Sequence, residues 1–300
     1  MTQLLQVHEL SKSYGSHKAV NSITFELGEG TSTALIGPNG AGKTTTLSML
    51  AGLVAPTNGS ILFRGKPKPD IRASIGYLPQ YPKFFPWLTA LEFTEMAAVL
   101  SGVEKRRALS EAKKTLEFVG LGDSMKKRAG TFSGGMKQRL GLAQAIVHEP
   151  ELLLLDEPVS ALDPVGRRQV MNLLKELQQK TTILYSTHIL NDAEEMTDQL
   201  LFLRKGVLVE NGSLDSIREK YANPRVLIEF ESVIEAERFT AISPWAVRVE
   251  KKQVSIDAVE EKVGTSEVLA LLHTESLHIR KVELQTASLE DIFMKVAVEE

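Results

Sequence analysis

Hydrophobic positions along residues 1–217 follow two periods in turn, one typical of strands and one typical of helices. Short apolar segments predict strands at 4–10, 20–27, 33–36, 152–155 and 181–186. The segment 152–155 is four leucines in a row, as expected of a strand buried on both faces of a parallel sheet. Strands that alternate with helices predict an α/β fold with a mostly parallel sheet.

A mainly helical stretch interrupts this alternation between about residues 87 and 150. Helical patterns cover 88–100, 105–119 and 135–147, and an earlier one covers 43–53. We therefore expect an α/β core that carries an inserted helical subdomain. The first two strands are expected to open the chain as an N-terminal antiparallel β subdomain.

A second unit is predicted to begin near Asn223-Pro224. Strand patterns occur at 226–230, 247–249, 254–256 and 278–284, and helical patterns at 233–242 and 266–273. Ser288 and Asp291 have the spacing of a capping box that opens a last helix. The sequence thus predicts a domain at 1–217 and a small α+β domain at 225–300.

Composition and charge limit the functions that this chain can have. The 300 residues are 43% hydrophobic and 24% charged, with no cysteine and a net charge of −3. This charge lacks the basic excess of a nucleic-acid binder, so no nucleic-acid partner is expected. No secretory signal and no run of about 20 apolar residues is visible, so a transport role requires a separate membrane-spanning partner.

A glycine-rich segment lies between the strand predicted at 33–36 and the helix predicted after it. Its pattern, G-x-x-x-x-G-K-[ST], is that of a phosphate-binding loop, whose backbone N–H groups turn toward phosphate oxygens at a helix N-terminus. We expect Lys43 to supply a cation to the β- and γ-phosphates and Thr44 to ligate Mg²⁺. The predicted contacts are Gly37, Pro38, Asn39, Gly40, Ala41, Gly42, Lys43, Thr44 and Thr45.

Two acidic residues, Asp156 and Glu157, follow the leucine strand directly. Ligands of open parallel sheets bind beyond the carboxyl ends of the strands, where the phosphate-binding loop also lies. We expect Asp156 to hold Mg²⁺ or its water, and Glu157 to orient or deprotonate an attacking water.

The phosphate-binding loop alone fits kinases, GTPases and ATPases, and a third segment separates these classes. Ser133 is a good N-cap, but Gly134 and Gly135 follow it at the start of the predicted helix. Each glycine costs about 1 kcal/mol against alanine inside a helix. Helix stability therefore does not explain them, whereas close approach of the backbone to an anion does.

With these segments in this order, residues 1–217 resemble an ATP-binding cassette (ABC) ATPase. Ser133, Gly134 and Gly135 resemble the family's Leu-Ser-Gly-Gly-Gln signature, although Phe132 replaces the leucine and Met136 the glutamine. The resemblance implies further roles for residues that match other family motifs: adenine stacking for Tyr14, Mg²⁺ ligation and sensing of the membrane partner for Gln80, the D-loop for Asp163, and γ-phosphate contact for His188. Asp163 before Pro164 is also an ordinary helix N-cap, and both roles are compatible.

The family's mechanism then implies the partners. In the family, the signature of one cassette covers the ATP on the phosphate-binding loop of another, so two cassettes enclose two ATP molecules with Mg²⁺. One copy of each motif implies a homodimer or a heterodimer with a second ABC ATPase chain. An integral membrane permease is expected to bind this pair at the cytoplasmic face of the membrane. The C-terminal extension resembles that of drug and antibiotic exporters, which favours export.

Two alternatives remain open at this point. A soluble ABC ATPase acting on nucleic acid or ribosomes is the main rival function, although the compact single cassette and the acidic net charge do not favour it. The aromatic segment 81–88 is either the core of the helical subdomain or an exposed groove for a cytoplasmic helix of the permease.

Overall fold

The computed structural model of this chain describes residues 2–67, 71–160, 162–221, 224–285 and 289–298. The chain divides into two compact units, Met1–Leu214 and Asp215–Glu300. Three residues named or implied by the predictions lie outside the described residues: the border residue Asn223, the helix cap Ser288, and Ala161, which belongs with Asp163 to the D-loop match at 160–163.

The first unit contains alternating strands and helices, and its α/β class confirms the prediction. Its strands are β1 (Gln3–Tyr14), β2 (His17–Gly28), β3 (Ser32–Ile36), β4 (Asn58–Phe63), β5 (Lys66–Pro67), β6 (Ile75–Leu78), β7 (Leu152–Asp156), β8 (Thr182–Thr187), β9 (Gln199–Arg204) and β10 (Val207–Ser213). Its helices are α1 (Lys43–Leu50), α2 (Ala90–Leu100), α3 (Lys105–Phe118), α4 (Gly134–Ile146), α5 (Pro164–Gln178) and α6 (Leu190–Met196).

The central sheet of this unit has six strands in the order β10-β9-β3-β8-β7-β6. Only β10 pairs antiparallel, so the carboxyl ends of the other five strands lie at one edge. Every residue of β3, β7 and β8 is buried, as the uninterrupted leucine run of β7 predicts for that strand. This edge is where an α/β sheet binds its ligands.

The predicted N-terminal β subdomain is an antiparallel sheet in the order β2-β1-β4-β5. Buried positions on β1 and β2 join the main core of the unit, among them Leu5, Val7, Phe25 and Leu27. The sheet therefore holds the end of β1, which carries Tyr14, next to the central sheet.

Two helices are shorter than the sequence predicts, for reasons visible in their caps. Helix α2 begins after the predicted Leu88, because the Thr89 hydroxyl accepts from the N–H of Glu92 and the Glu92 carboxylate accepts from the N–H of Thr89. Helix α1 ends before the predicted Leu53, because Gly52 has a φ of +69°, a left-handed conformation that terminates a helix.

The second unit is a small α+β structure with a core of its own. Its helices are α7 (Leu214–Lys220), α8 (Val233–Ile242), α9 (Thr265–Thr274) and α10 (Leu289–Val298). Its strands are β11 (Arg225–Phe230), β12 (Val247–Glu250), β13 (Gln253–Asp257) and β14 (Ile279–Gln285), in the antiparallel order β12-β13-β11-β14. Alternate residues of β11 are buried against α8 and α9, and the rings of Phe230 and Phe239 lie 5.5 Å apart.

Candidate nucleotide-binding site

The glycine-rich loop connects the end of β3 to the start of α1, as the sequence predicts. Gly42 has a φ of +104°, and a side chain there would lie 2.4 Å from the carbonyl oxygen of Ala19. A Cβ at Gly37 would come within 2.2 Å of the carbonyl oxygen of Leu203. Glycine is therefore required at both ends of the loop, by conformation and space at Gly42 and by space at Gly37.

Lys43 is folded into this loop and is only 6% exposed. Its Nζ donates to the carbonyl oxygens of Gly37, at 2.8 Å, and Pro38, at 3.3 Å. Glu157 Oε1 lies 3.7 Å from the same nitrogen. Burial lowers the pKa of Lys43, and the carboxylates of Glu157 and Asp156 oppose that shift. Lys43 is thus held at the base of the loop, where a cation can meet a phosphate.

The acidic pair lies at the end of β7 and is joined to β8 by Ser186. Asp156 is 1% exposed and accepts from Ser186 Oγ at 2.6 Å. Ser186 Oγ in turn accepts from the backbone N–H of Glu157 at 2.9 Å. Sequence analysis missed Ser186, since a serine at the end of a buried strand carries no signal of its own. It fixes the strand end from which Glu157 projects.

Glu157 is the point on which the predicted catalytic side chains converge. His188 Nδ1 lies 3.0 Å from its Oε2, and Gln80 Nε2 lies 3.5 Å from the same oxygen. The Glu157 backbone has a φ of +47°, a left-handed conformation that costs a non-glycine residue about 1–3 kcal/mol. This turn aims the carboxylate along the sheet edge toward Lys43, so the arrangement can orient a water beside a phosphate.

A groove of about 510 Å³ runs along this edge. It is lined by Tyr14, His17, Ala19, Asn39, Gly40, Ala41, Gly42, Lys43, Thr44, Thr45, Gln80 and Glu157. Tyr14 is 52% exposed and carries the Lys12 ammonium 5.2 Å from its ring centre. His17 is a lining residue that sequence analysis missed, because a single histidine beside a turn gives no pattern. The groove can take an elongated anion with a flat base at the Tyr14 end.

The remaining predicted residues lie in a different pocket of about 370 Å³. It is lined by Ser133, Gly134, Gly135, Arg139, Leu162, Asp163, Val165, Gly166 and Gln169. Ser133 Oγ caps α4 by accepting from the N–H of Met136 at 3.3 Å. The Asp163 carboxylate caps α5 by accepting from the N–H of Gly166 at 3.3 Å. The chain thus separates its signature from its own phosphate-binding loop.

The two glycines of the signature have no packing role against the residues of their own chain that the structure describes. A Cβ at Gly134 would meet nothing within 4 Å, and one at Gly135 would reach only Leu162, at the ordinary contact distance of 3.8 Å. Neither residue has a positive φ. Alanine would therefore fit both positions and stabilise the helix start.

The oxygen ligands at the sheet edge fit Mg²⁺. Asp156 supplies a buried carboxylate, while Thr44 and Gln80 supply a hydroxyl and an amide in the groove. Among the residues that the structure describes, no group of three or more His, Cys, Asp or Glu side chains could hold a metal. A single carboxylate completed by substrate phosphates is the usual way in which proteins bind Mg²⁺.

A phosphate-binding loop at the carboxyl edge of a parallel sheet defines a P-loop nucleoside triphosphatase. Comparison with known families narrows this class. Residues 20–160 match the family model described as ABC transporter. Residues 212–297 match the model described as ATP-binding protein DrrA1-3-like, C-terminal domain.

Full-length relatives agree with these matches. The uncharacterized ABC transporter ATP-binding protein YxlF of Bacillus subtilis (strain 168) is 43% identical over 98% of this chain and 99% of its own length. The bacitracin transport ATP-binding protein BcrA of Bacillus licheniformis is 36% identical over 99% of this chain and 98% of its own. This chain therefore belongs to the ABC transporter ATP-binding proteins and is an ATPase.

A solved structure supports the same fold. It is the dimeric, post-hydrolysis state of the ATP-binding cassette MJ0796 bound to ADP and Pi. It is 26% identical to this chain with a TM-score of 0.64, and the match covers 70% of this chain and 99% of that cassette. Within the described residues, no helix combines the length and apolarity needed to cross a bilayer.

Proposed function

We propose that this chain is the ATP-hydrolysing motor of an exporter, working in pairs that enclose two ATP molecules head to tail. The observation that carries this proposal is the separation of two half-sites on one chain. The groove beside Lys43 and the pocket beside Gly135 are distinct, and no described neighbour requires glycine at the two signature positions. A second chain explains both facts, because its signature amides would complete the groove of the first.

Each half-site residue then has a role. Residues 37–45, with Lys43 among them, bind the phosphates, and Tyr14 stacks on the base. Asp156, Thr44 and Gln80 hold Mg²⁺, which neutralises phosphate charge when bound. Ser133, Gly134, Gly135 and Asp163 belong to the half-site that faces the partner's nucleotide.

Glu157 and His188 carry out the chemical step. The Glu157 carboxylate orients a water in line with the γ-phosphorus and accepts its proton as the new P–O bond forms. The bond from the γ-phosphorus to the bridging oxygen breaks, and the electron pair leaves with ADP. His188, 48% exposed at the rim, contacts the γ-phosphate and holds the carboxylate in place. The products are ADP and phosphate, whose departure lets the pair open.

A complementation experiment tests the shared site. Glu157→Gln removes the base of one chain, and Gly135→Asp puts a negative side chain where the other chain should approach phosphate. We expect each variant alone to lose turnover about 10²-fold or more. Mixed one to one, they should recover about one quarter of wild-type turnover, because half the pairs contain one intact site of two.

The outcome also separates the forms of the proposal. If the wild-type chain is active by itself and the mixture of the two variants recovers no activity, the shared site is contradicted. A wild-type chain that hydrolyses ATP only after a sister cassette is added would establish a heterodimer. The control is the chain that carries both substitutions, mixed with Glu157→Gln, which should stay inactive.

The aromatic segment after Gln80 supports a permease docking surface. Tyr81, Phe85 and Trp87 are 71%, 46% and 64% exposed, and the rings of Phe85 and Trp87 lie 5.4 Å apart. Phe84 instead packs edge-on against Phe93 of α2 at 5.1 Å. One ring of the segment, Phe84, therefore packs against the helical region, and the other three are exposed at the surface. Exposed aromatic side chains of this kind are expected where a surface binds a partner's helix.

We expect Trp87→Ser to prevent co-purification of the cassette with its permease, because aromatic anchors supply much of the energy of an interface. Basal hydrolysis by the isolated cassette should stay within about twofold, since the ring is outside the nucleotide groove. The control is Val207→Ser, which changes a 40% exposed residue on β10, at the opposite edge of the sheet. Normal permease capture by Trp87→Ser would refute the docking surface.

The second unit supports export. Residues 1–217 are proposed to form the ATPase domain and residues 225–300 the accessory domain, in line with the DrrA1-3-like match at 212–297. Similarity over full length to a bacitracin transport protein agrees with this assignment. Export places the cassette at the cytoplasmic face of the membrane, attached through its permease. The rival function on nucleic acid or ribosomes has no basic excess to support it, given the net charge of −3.

A further inference from the structure

Helix α4 begins at the signature pocket, and its second turn contacts the loop that carries the catalytic carboxylate. Gln138 is only 6% exposed, and its Nε2 donates to the carbonyl oxygen of Pro158 at 2.8 Å. Pro158 follows Glu157 directly. Gln138 lies four residues after Gly134, about 6 Å along the helix axis at 1.5 Å per residue. One rigid helical turn therefore separates the signature amides from the turn that aims the base.

The turn at Glu157 depends on the contacts around it. Its left-handed backbone is unfavourable for a side-chain-bearing residue and persists only where neighbours over-determine it. Ser186 Oγ fixes the backbone N–H of Glu157, and the N–H of Ser160 donates to the Glu157 carbonyl at 3.3 Å. Gln138 holds the next carbonyl, that of Pro158, and thereby completes the turn from the side of α4.

Helix α4 is also packed closely against the strand that leads to Gln80. A Cβ at Gly141 would lie 2.7 Å from Leu78 and 2.8 Å from Pro82, on either side of Gln80. A Cβ at Gly76 would lie 2.0 Å from the carbonyl oxygen of Ala145. Such contacts leave no room for α4 to slide, so a displacement of the helix carries the Gln80 and Glu157 loops with it.

We propose that Gln138 is a positioning residue that sets the orientation of Glu157 in its own chain and ties it to the signature helix. This inference rests on the proposed paired mechanism. It assigns a role to a residue of α4 that lies outside both pockets. When the partner's nucleotide binds against the start of α4, the Gln138–Pro158 hydrogen bond couples the position of α4 to that of Glu157 in the same chain. That Glu157 acts at the other of the two shared sites.

The test uses Gln138→Met, which keeps the length of the side chain and removes its donor. Mixed pairs with separate affinity tags contain one chain with Glu157→Gln, so that only the other chain's site hydrolyses ATP. In the first pair, Gln138→Met is on the hydrolysing chain, and we expect kcat to fall about 10-fold or more with KM unchanged. In the second pair, Gln138→Met is on the Glu157→Gln chain, and kcat should stay unchanged.

A structural role would give a different result. His148 follows α4, and its Nε2 lies 3.2 Å from the carbonyl oxygen of Ile75, a contact of the same kind away from the nucleotide groove. His148→Leu on the hydrolysing chain should lower Tm as Gln138→Met does and leave kcat unchanged. Three results would overturn the proposal: an unchanged kcat in the first pair, a lower kcat in the second pair, or an equal loss of kcat with His148→Leu. Failure of the paired mechanism is seen separately, because the mixture of Glu157→Gln with Gly135→Asp would then recover no activity although the wild-type chain is active.

Discussion

Glu157→Gln should reduce ATP turnover about 10²–10⁴-fold, the usual loss when a general base is removed. ATP binding should persist, because glutamine keeps the shape of the side chain and the backbone bonds to Ser186 and Ser160 do not involve the carboxylate. With hydrolysis blocked, the closed pair cannot open, so light scattering should show an ATP-dependent dimer. An assay of phosphate release measures the turnover, and an equilibrium titration measures the affinity for ATP.

The matched control is Glu151→Gln, at the other end of the same strand. Glu151 pairs with Arg64 at 2.6 Å, on the surface and away from the groove. The same chemical change there should leave turnover within about twofold, since exposed ion pairs contribute little. Wild-type turnover in Glu157→Gln would mean that another group activates the water.

Lys43→Ala should weaken ATP binding roughly 100-fold or more, because a buried, hydrogen-bonded charge contributes about 2–5 kcal/mol to binding an opposite charge. The buried ammonium is held by two loop carbonyls, so its direction toward the phosphates is set before ATP arrives. Titration with a fluorescent ATP analogue measures the loss. A melting curve should accompany it, since the substitution also removes the cation beside Glu157.

Lys175→Ala provides the comparison for this loss. Lys175 is 40% exposed and pairs with Glu195 at 2.7 Å across α5 and α6, outside the groove. Its removal takes away one positive charge and should change ATP affinity by less than about twofold. Equal affinities of Lys43→Ala and the wild-type chain would exclude the loop as the phosphate site.

The sequence predicts the α/β core well, because its strongest features are local. Strands β3, β7 and β8 are buried on both faces, and each contains at least three apolar residues in a row. The phosphate-binding loop is recognisable because the positions of its glycines and lysine are set within eight residues. Glu157 and Asp156 are found for the same reason, since they follow a strand directly.

What the sequence does not reveal depends on contacts between distant segments. Strand β6 contains Gly76, which ordinarily weakens a strand, yet α4 packs so closely there that no larger residue fits. The role of Ser186 appears only when β8 lies beside β7. Gln138 has no pattern that distinguishes it from a surface glutamine until the Pro158 carbonyl is placed next to it.

The distance between the two pockets on one chain also determines how the protein's activity depends on its abundance. A site assembled from two chains forms by collision, so dilute copies hydrolyse little ATP however intact each one is. A permease that holds two copies side by side replaces collision with a fixed local concentration, which reaches the millimolar range for short tethers. On the proposed shared site, dilute cassettes would therefore use most of their ATP once mounted on a transporter.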